Sequence, residues 1–304
     1  MSDTSVLAPL STHTPEVSAT AATVVAKSIE RPAPLVLRPT SGWSALQLRE
    51  VWQFRDLLFT LAGRDLKLRY KQTALGAAWV VLQPLAAAGI FNFVFGTVAG
   101  MQTSFIMTFA GVMGWSLFSN TMGKASGCLV GNSHLISKVF FPRLILPLSS
   151  IPSTFVDFGV SAVMMIALMI WYHTPVTAGL LLLPVWIALL LMLSMGIGLI
   201  AASLMVTYRD VAYVLPVLTQ LLMYGSPVGY SAKALSGDQV PVWKQTLYFL
   251  NPLSPLLEGF KWSLVGEGEL RWGFVGYAAA ISVVAMLIGS FSFKRMERRF
   301  ADVI

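Results

Sequence analysis

Charged residues are scarce in this sequence, and cysteine and histidine are scarcer still. Asp, Glu, Lys and Arg make up 12% of the 304 residues, against about 25% in soluble domains. The single Cys128 excludes an intramolecular disulfide and a cysteine-rich metal site. The three histidines lie in different regions, and the chain has no H-E-x-x-H motif, no G-x-S-x-G motif and no phosphate-binding loop. We therefore expect no catalytic site, no metal and no cofactor in this chain.

Apolar residues dominate instead, at 56% of the chain. A soluble protein of this length cannot bury so much apolar surface, so the surrounding medium is expected to be lipid. Four long stretches contain almost no charge, and Asp157 is the one Asp, Glu, Lys or Arg residue within them. Because a spanning helix needs about 20 residues, the stretches predict an all-α integral membrane protein with six transmembrane helices. The predicted spans are residues 74–99, 104–123, 144–171, 179–206, 211–229 and 272–293.

The distribution of Lys and Arg predicts the orientation. With the N-terminus in the cytosol, 17 of the 21 Lys and Arg residues fall in cytosolic segments. The other four lie in one loop, 230–271, where four acidic residues balance them. Because Lys and Arg favour the cytosolic side of a membrane, both termini are predicted to be cytosolic.

The N-terminal part has two predicted regions. Residues 1–43 are rich in Ser, Thr, Ala and Pro and are predicted to be a disordered cytosolic tail, outside a transmembrane domain at 44–300. Segment 44–72 repeats apolar residues every three or four positions, which predicts an amphipathic helix on the inner membrane surface. Its basic residues include Arg64, Lys67, Arg69 and Lys71. Alternatively, these charges only orient the first span.

Two loops between the spans also contain helical signals. Segment 124–143 has an apolar edge and predicts either a short helix against a partner protein or a loop resting on the membrane. Loop 230–271 predicts two short amphipathic helices before the last span, which lie at the outer interface or dip into it. The second begins at Asn251 and Pro252, a favourable pair for a helix start, and its polar face carries Glu258 and Lys261.

Polar residues inside the predicted spans are candidates for function. Asp157 has no ionisable partner in the predicted spans, so a structural or pore-lining role is favoured over proton coupling. At about 100° per residue, Trp79, Gln83 and Phe93 share one stripe of the first span. This stripe either lines a passage for sugars or packs against other helices.

Four groups of residues, in this order, resemble the type-2 ABC transporter permeases of polysaccharide export. They are RDLKLRYKQT at 64–73 with Leu75, Gly76, Trp79 and QPL at 83–85; FPR at 141–143 with LPLSS at 146–150; YRDV at 208–211; and SPV at 226–228 with NPLSP at 251–255. The resemblance covers about residues 44–300, and the tail lies outside it.

The resemblance implies an assembly and a cargo. It implies a homodimer with two copies of a separate cytosolic ABC ATPase, which would bind ATP and magnesium, and no nucleic acid. The implied substrate is a polyprenyl-diphosphate-linked polysaccharide such as O-antigen, exported across the bacterial inner membrane. It implies that a helix in 124–143 couples to the ATPase, for which the candidates are Lys138, Phe141, Arg143 and Arg209. It also implies that outer helices in 240–265 form an external gate, with Trp243, Leu253, Leu257 and Phe260 as candidates. The family's channel is lined by aromatic residues, which supports Trp79 and Phe93, with Gln83 of the same stripe, as channel-lining candidates.

Three other functions fit the composition less well. An exporter of a drug or small lipid would share the fold but is expected to lack the basic block at 64–71 and the paired outer helices. A membrane-embedded glycan-modifying enzyme needs acidic or histidine pairs near a membrane face. An ion-coupled carrier needs several charges within its spans or matching broken helices in its two halves.

Overall fold

The computed structural model describes residues 48–71, 78–101, 103–231, 241–268 and 270–303, and every regular element in these ranges is helical. The predicted tail at 1–43 and the predicted helix start near Ser44 lie outside the described residues. In chain order the helices are α1 (Leu48–Gln53), α2 (Arg55–Tyr70), α3 (Ala78–Phe91) continued by a π-helical segment (Asn92–Val98), α4 (Phe105–Gly131), α5 (Ser133–Lys138), α6 (Ile145–Trp171), a 3-10 turn (Ala178–Leu182), α7 (Leu183–Thr207), α8 (Val211–Tyr224), α9 (Val242–Leu250), α10 (Leu253–Val265) and α11 (Trp272–Val303).

Four helices are long and apolar enough to cross a membrane. They are Ala78–Val98, Ile145–Trp171, Ala178–Thr207 and Trp272–Glu297, which correspond to the first, third, fourth and sixth predicted spans. The second predicted span overlaps α4, and the fifth contains α8. The predicted span 211–229 is too long for α8, because the helix ends at Tyr224 and a turn follows. The count of six spans stays a prediction.

Helix α4 continues to Gly131, beyond residue 123, where the second span is predicted to end. Gly123, Gly127 and Gly131 leave that side of the helix open, with no neighbouring atom within 4 Å of the position of an added Cβ. Lys124 is held within the helical bundle by contacts to α6. The predicted segment 124–143 therefore consists of the end of α4, the short helix α5 and a few non-helical residues before α6.

Helix α4 is central to the packing, with α6, α7 and α10 around it. One cluster of buried apolar side chains joins α4, α7 and α10 and includes Phe118, Trp186 and Phe260. Helices α7 and α11 approach each other closely, because Gly196 and Gly289 each lie against the backbone of the other helix. Small residues permit this approach, and the resulting van der Waals contacts stabilise helix pairs in lipid, where the hydrophobic effect does not.

The N-terminal helix α2 packs on α6. Its Leu61 belongs to a second buried cluster with Phe141 and Phe293, and Leu58 contacts that cluster. Phe54 interrupts the helix between α1 and α2 and is partly exposed. Part of the apolar stripe predicted in segment 44–72 therefore contacts protein.

Helix α10 is buried on both its apolar and its polar face. Leucines 253, 256 and 257 are buried, and so are Glu258 and Lys261 on the opposite face. Helix α10 is surrounded because it contacts α4, α7, α11 and the 3-10 turn. At its start, the side chain of Asn251 accepts a hydrogen bond from the Leu253 amide, as a capping residue does.

Candidate functional site

A cavity of about 310 Å³ lies between α3, α4, α6 and α8. Its volume falls near the lower end of the ~300–1,000 Å³ range of small-molecule sites. Three aromatic side chains, Phe91, Trp115 and Phe158, border it. Its polar lining consists of Gln83, Ser116, Ser119, Asn120, Thr154, Asp157 and Ser161. Convergent polar groups in an otherwise apolar bundle make this cavity the candidate functional site.

Asp157 has an ionic partner that the sequence prediction missed. Lys124 of α4 lies with its Nζ 3.3 Å from Asp157 Oδ2 and also donates to Ser153 Oγ at 2.9 Å. The expectation that Asp157 has no ionisable partner rested on ending the second span at residue 123, which placed Lys124 in the cytosol. Pairing the charges reduces the penalty for placing either one in an apolar medium.

The structure separates the three residues of the predicted channel stripe. Gln83 lines the cavity, whereas Trp79 and Phe93 do not border it. The side chains of Trp79 and Phe93 are 53% and 59% exposed on the surface of α3 and its π-helical continuation. The channel role of all three residues stays a prediction.

Lys261 on α10 is completely buried, and its ammonium group has three acceptors. Nζ donates to Glu258 Oε1 at 2.7 Å and to the backbone oxygens of Pro227 and Tyr230, each at 2.9 Å. An ammonium group carries three hydrogens, so the three acceptors satisfy all of its donors. The contacts attach α10 to the turn that follows α8, and we call this group of four residues the Lys261 clamp.

Burial and the neighbouring charge have opposite effects on the pKa of Lys261 in the clamp. Burial lowers the pKa of the Lys261 ammonium, while the neighbouring Glu258 carboxylate raises that pKa. Burial also raises the pKa of the nearby Tyr248 hydroxyl, and Tyr230 and Glu258 contribute to the same shift. Burial likewise raises the pKa of the Tyr230 hydroxyl.

The predicted external gate residues fall in two environments. Leu253, Leu257 and Phe260 are buried in the cluster around α4, and a Cβ added to Gly114 would lie 3.0 Å from Leu257 Cδ2. Trp243 on α9 is instead 64% exposed. The first three residues fix α10 within the bundle, and their part in a gate stays a prediction.

The predicted ATPase-coupling residues also differ in exposure. Lys138 and Arg209 are exposed, whereas Phe141 is buried in the second cluster. The Arg143 guanidinium donates to the backbone oxygen of Glu297 at 2.8 Å, which fixes the start of α6 to α11. Phe140, which the sequence analysis did not select, is 71% exposed.

The basic residues of α2 lie near the same end of the molecule as α5. Arg64 donates to Asn132 Oδ1 at 2.6 Å and forms an ion pair with Asp65. Lys67 and Lys71 are exposed, and the side chain of Arg69 is outside the described residues. One of the four predicted interface residues, Arg64, thus connects α2 to the junction of α4 and α5.

The long apolar helices define a membrane protein, and comparison with known families identifies its class. The profile of the ABC-2 type transporter family matches residues 56–265, more than two thirds of the chain. The chain belongs to this family. The match extends from α2 to the end of α10, so it includes the cavity and the Lys261 clamp.

Similar proteins carry names from polysaccharide export. The chain is 28% identical over 261 residues to the O-antigen export system permease protein RfbA of Myxococcus xanthus, covering 84% of this chain and 98% of that protein. It is 25% identical over 254 residues to a Klebsiella pneumoniae protein of the same name, covering 82% and 95%. The polysialic acid transport protein KpsM of Escherichia coli is 25% identical over 247 residues, covering 77% and 91%.

Proposed function

We propose that this chain is the permease subunit of an ATP-driven ABC exporter that moves a lipid-linked polysaccharide across the bacterial inner membrane. The observation that carries the proposal is the similarity to O-antigen export permeases, which covers more than 80% of the chain and nearly the whole of those relatives. The long apolar helices provide the membrane-spanning part that such a subunit needs. ATP would bind to a separate subunit, since the sequence has no phosphate-binding loop.

The proposed topology has six crossings with both termini in the cytosol. At one end of the molecule, α2 contacts the α4–α5 junction through Arg64, and α6 contacts α11 through Arg143. At the other end, Gly266 after α10 lies beside Thr177, and Gly229 after α8 lies beside Phe95. This arrangement supports α4 and α8 as the two remaining crossings. The basic residues of the first end support its cytosolic position.

The proposed assembly is a homodimer with two ATPase subunits. The passage would run between the two copies, lined by Trp79 and Phe93 on the exposed side of α3. Rigid aromatic rings offer broad apolar contact at low conformational cost, which suits a sugar chain that has to slide. Helices α9 and α10 would form the outer gate, with Trp243 exposed and α10 anchored in the bundle.

The proposed ATPase contact lies around α5. Lys138, Arg209 and Phe140 are exposed and available to a partner protein. Phe141 and Arg143 are held by this chain's own residues. They would transmit movement from α5 to α6 and α11 without touching the ATPase themselves.

Deleting the gene for this chain tests the proposed function. We expect surface polysaccharide to disappear and lipid-linked glycan to accumulate on the cytosolic side of the inner membrane. Expression of the chain from a plasmid should restore the surface polysaccharide, as judged by extraction of glycan from intact cells and from membranes. Unchanged surface polysaccharide in the deletion strain would refute the proposal.

A further inference from the structure

The polar side chains of the cavity differ in their hydrogen bonding. Thr154 and Ser161 on α6 each donate to a backbone oxygen of their own helix. Gln83, Ser116, Ser119 and Asn120 line the same cavity, and none of them makes a hydrogen bond with the described part of the chain. These four side chains keep their donors and acceptors available to a molecule in the cavity.

The four side chains are arranged as a compact polar surface. Ser116, Ser119 and Asn120 are spaced three and four residues apart on α4, so they lie on one side of that helix. Gln83 faces the cavity from α3. The two amides each present an acceptor and two donors, and each hydroxyl both donates and accepts. A ligand with several neighbouring hydroxyl groups matches this mixture of donors and acceptors.

The aromatic side chains supply the complementary apolar contact. Phe91, Trp115 and Phe158 border the same cavity. A sugar ring is polar at its edge, where the hydroxyl groups project, and apolar over its C–H faces. A cavity with amides and hydroxyls beside aromatic rings contacts both parts, whereas an acyl chain would leave the four polar side chains unpaired.

The charge of the cavity favours a neutral ligand. Among the described residues that line it, Asp157 is the one charged side chain, and Lys124 balances it from 3.3 Å. An anionic group such as a phosphate would lie close to the Asp157 carboxylate, with one lysine already engaged. A neutral sugar residue meets no such repulsion and can donate hydroxyl protons to the carboxylate.

We propose that this cavity is a carbohydrate subsite within each copy of the chain and holds one neutral sugar ring of the glycan. The inference rests on the proposed function, since that function brings a polysaccharide to the membrane-spanning helices. A volume of about 310 Å³ is sufficient for one sugar ring. The cavity would bind one sugar unit at a time through individually weak hydrogen bonds. The glycan is thereby held between successive rounds of ATP hydrolysis and then released.

Site-specific photo-crosslinking in glycan-producing cells tests the subsite. A benzophenone amino acid is introduced at Asn120 and, in a second variant, at Ser119, with the complete transporter expressed. The matched control carries it at Val163, which is 69% exposed on α6 and does not line the cavity. After irradiation, we expect the chain labelled at position 120 or 119 to carry a glycan adduct, detected by a mass shift and by staining of periodate-oxidised sugar diols. Position 163 should give phospholipid adducts alone.

Export measurements on conservative variants provide a second readout. Asn120→Leu keeps the side-chain shape but removes its hydrogen bonds, and Ser119→Ala removes one hydroxyl group. We expect each to reduce the export rate per folded chain roughly fivefold, the effect of one lost hydrogen bond. Thr219→Val is the control, because Thr219 bonds to its own helix and lies outside the cavity, and it should export at the wild-type rate.

The outcomes distinguish failure of the subsite proposal from failure of the proposed function. Glycan adducts at 119 or 120 with reduced export in the two variants support the subsite. Phospholipid adducts alone at both positions, or wild-type export by both variants, would overturn it while wild-type cells continue to export. If cells with the unmodified chain export no glycan, the proposed function itself fails.

Discussion

Two lysines within the helical bundle, Lys261 and Lys124, each pair with an acidic side chain. Lys261 is fully buried with three acceptors around its ammonium group, whereas the Lys124 side chain is 30% exposed and pairs with Asp157. Desolvation is more complete at Lys261, so the loss of one partner is more costly there. Removing one member of a buried pair leaves the other charge uncompensated.

At the scale of single residues, the Lys261 clamp gives the most direct prediction. Lys261→Met should lower the free energy of unfolding by about 3–5 kcal/mol, because Glu258 then stays buried without its counter-charge. Unfolding of the purified chain in detergent, followed by tryptophan fluorescence, measures the effect.

Two matched variants establish that the charge is responsible. Adding Glu258→Gln to Lys261→Met removes the uncompensated carboxylate and should recover part of the lost stability. Lys67→Met, at an exposed lysine of α2, should change the stability by less than about 0.5 kcal/mol. A double variant less stable than Lys261→Met alone would contradict the account of the clamp.

At the scale of helices, close packing depends on particular glycines. A Cβ added to Gly196 of α7 would lie within 2.5 Å of the backbone of Ala285 and Met286 in α11. Gly196→Val should therefore separate α7 from α11 and sharply reduce the yield of folded chain, because a backbone contact cannot be relieved by a side-chain rotation. Size-exclusion chromatography of detergent-solubilised chain measures the yield.

Gly159 provides the comparison for that prediction. It lies in α6, another long apolar helix, but no atom lies within 4 Å of the position of an added Cβ. Gly159→Val introduces the same β-branched side chain and should leave the yield close to that of the wild type. Equal losses in both variants would show that valine disturbs these helices for a reason other than the α7–α11 contact.

The sequence predicted helices better than it predicted how they end and what surrounds them. Uncharged runs identify spanning helices because lipid offers no partner for charge, and Ile145–Trp171 agrees closely with the predicted 144–171. Helix α4 extends beyond the predicted end of the second span, because Lys124 was taken as a boundary and its pairing with Asp157 was not foreseen. The burial of Glu258 and Lys261 depends on Pro227 and Tyr230, contacts distant in sequence that periodicity does not reveal.

The candidate site was predicted only in part for the same reason. Gln83 was selected from a stripe on one helix, and Asp157 from its charge. Ser116, Ser119 and Asn120 are ordinary polar residues within an apolar run, and they gain significance only where α3, α4, α6 and α8 meet. A cavity formed by four helices cannot be derived from the pattern of any one of them.

For the whole molecule, the proposed topology predicts which residues can be reached from outside the cell. With Cys128 replaced by serine, Glu267→Cys should react with a membrane-impermeant maleimide in intact cells, because residue 267 is exposed after α10. Lys138→Cys should react only after the membrane is permeabilised. Labelling of position 138 in intact cells would invert the topology and remove α5 from contact with a cytosolic ATPase.

Export itself tests the central claim most directly. Inverted inner-membrane vesicles that contain this chain and its partner ATPase expose the cytosolic face to added radiolabelled lipid-linked glycan and ATP. We predict that glycan becomes protected within the vesicles only when the chain, a catalytically active ATPase and ATP are all present. Equal protection in vesicles that lack this chain, or in vesicles with an inactive ATPase, would contradict its assignment as the permease of an ATP-driven polysaccharide exporter.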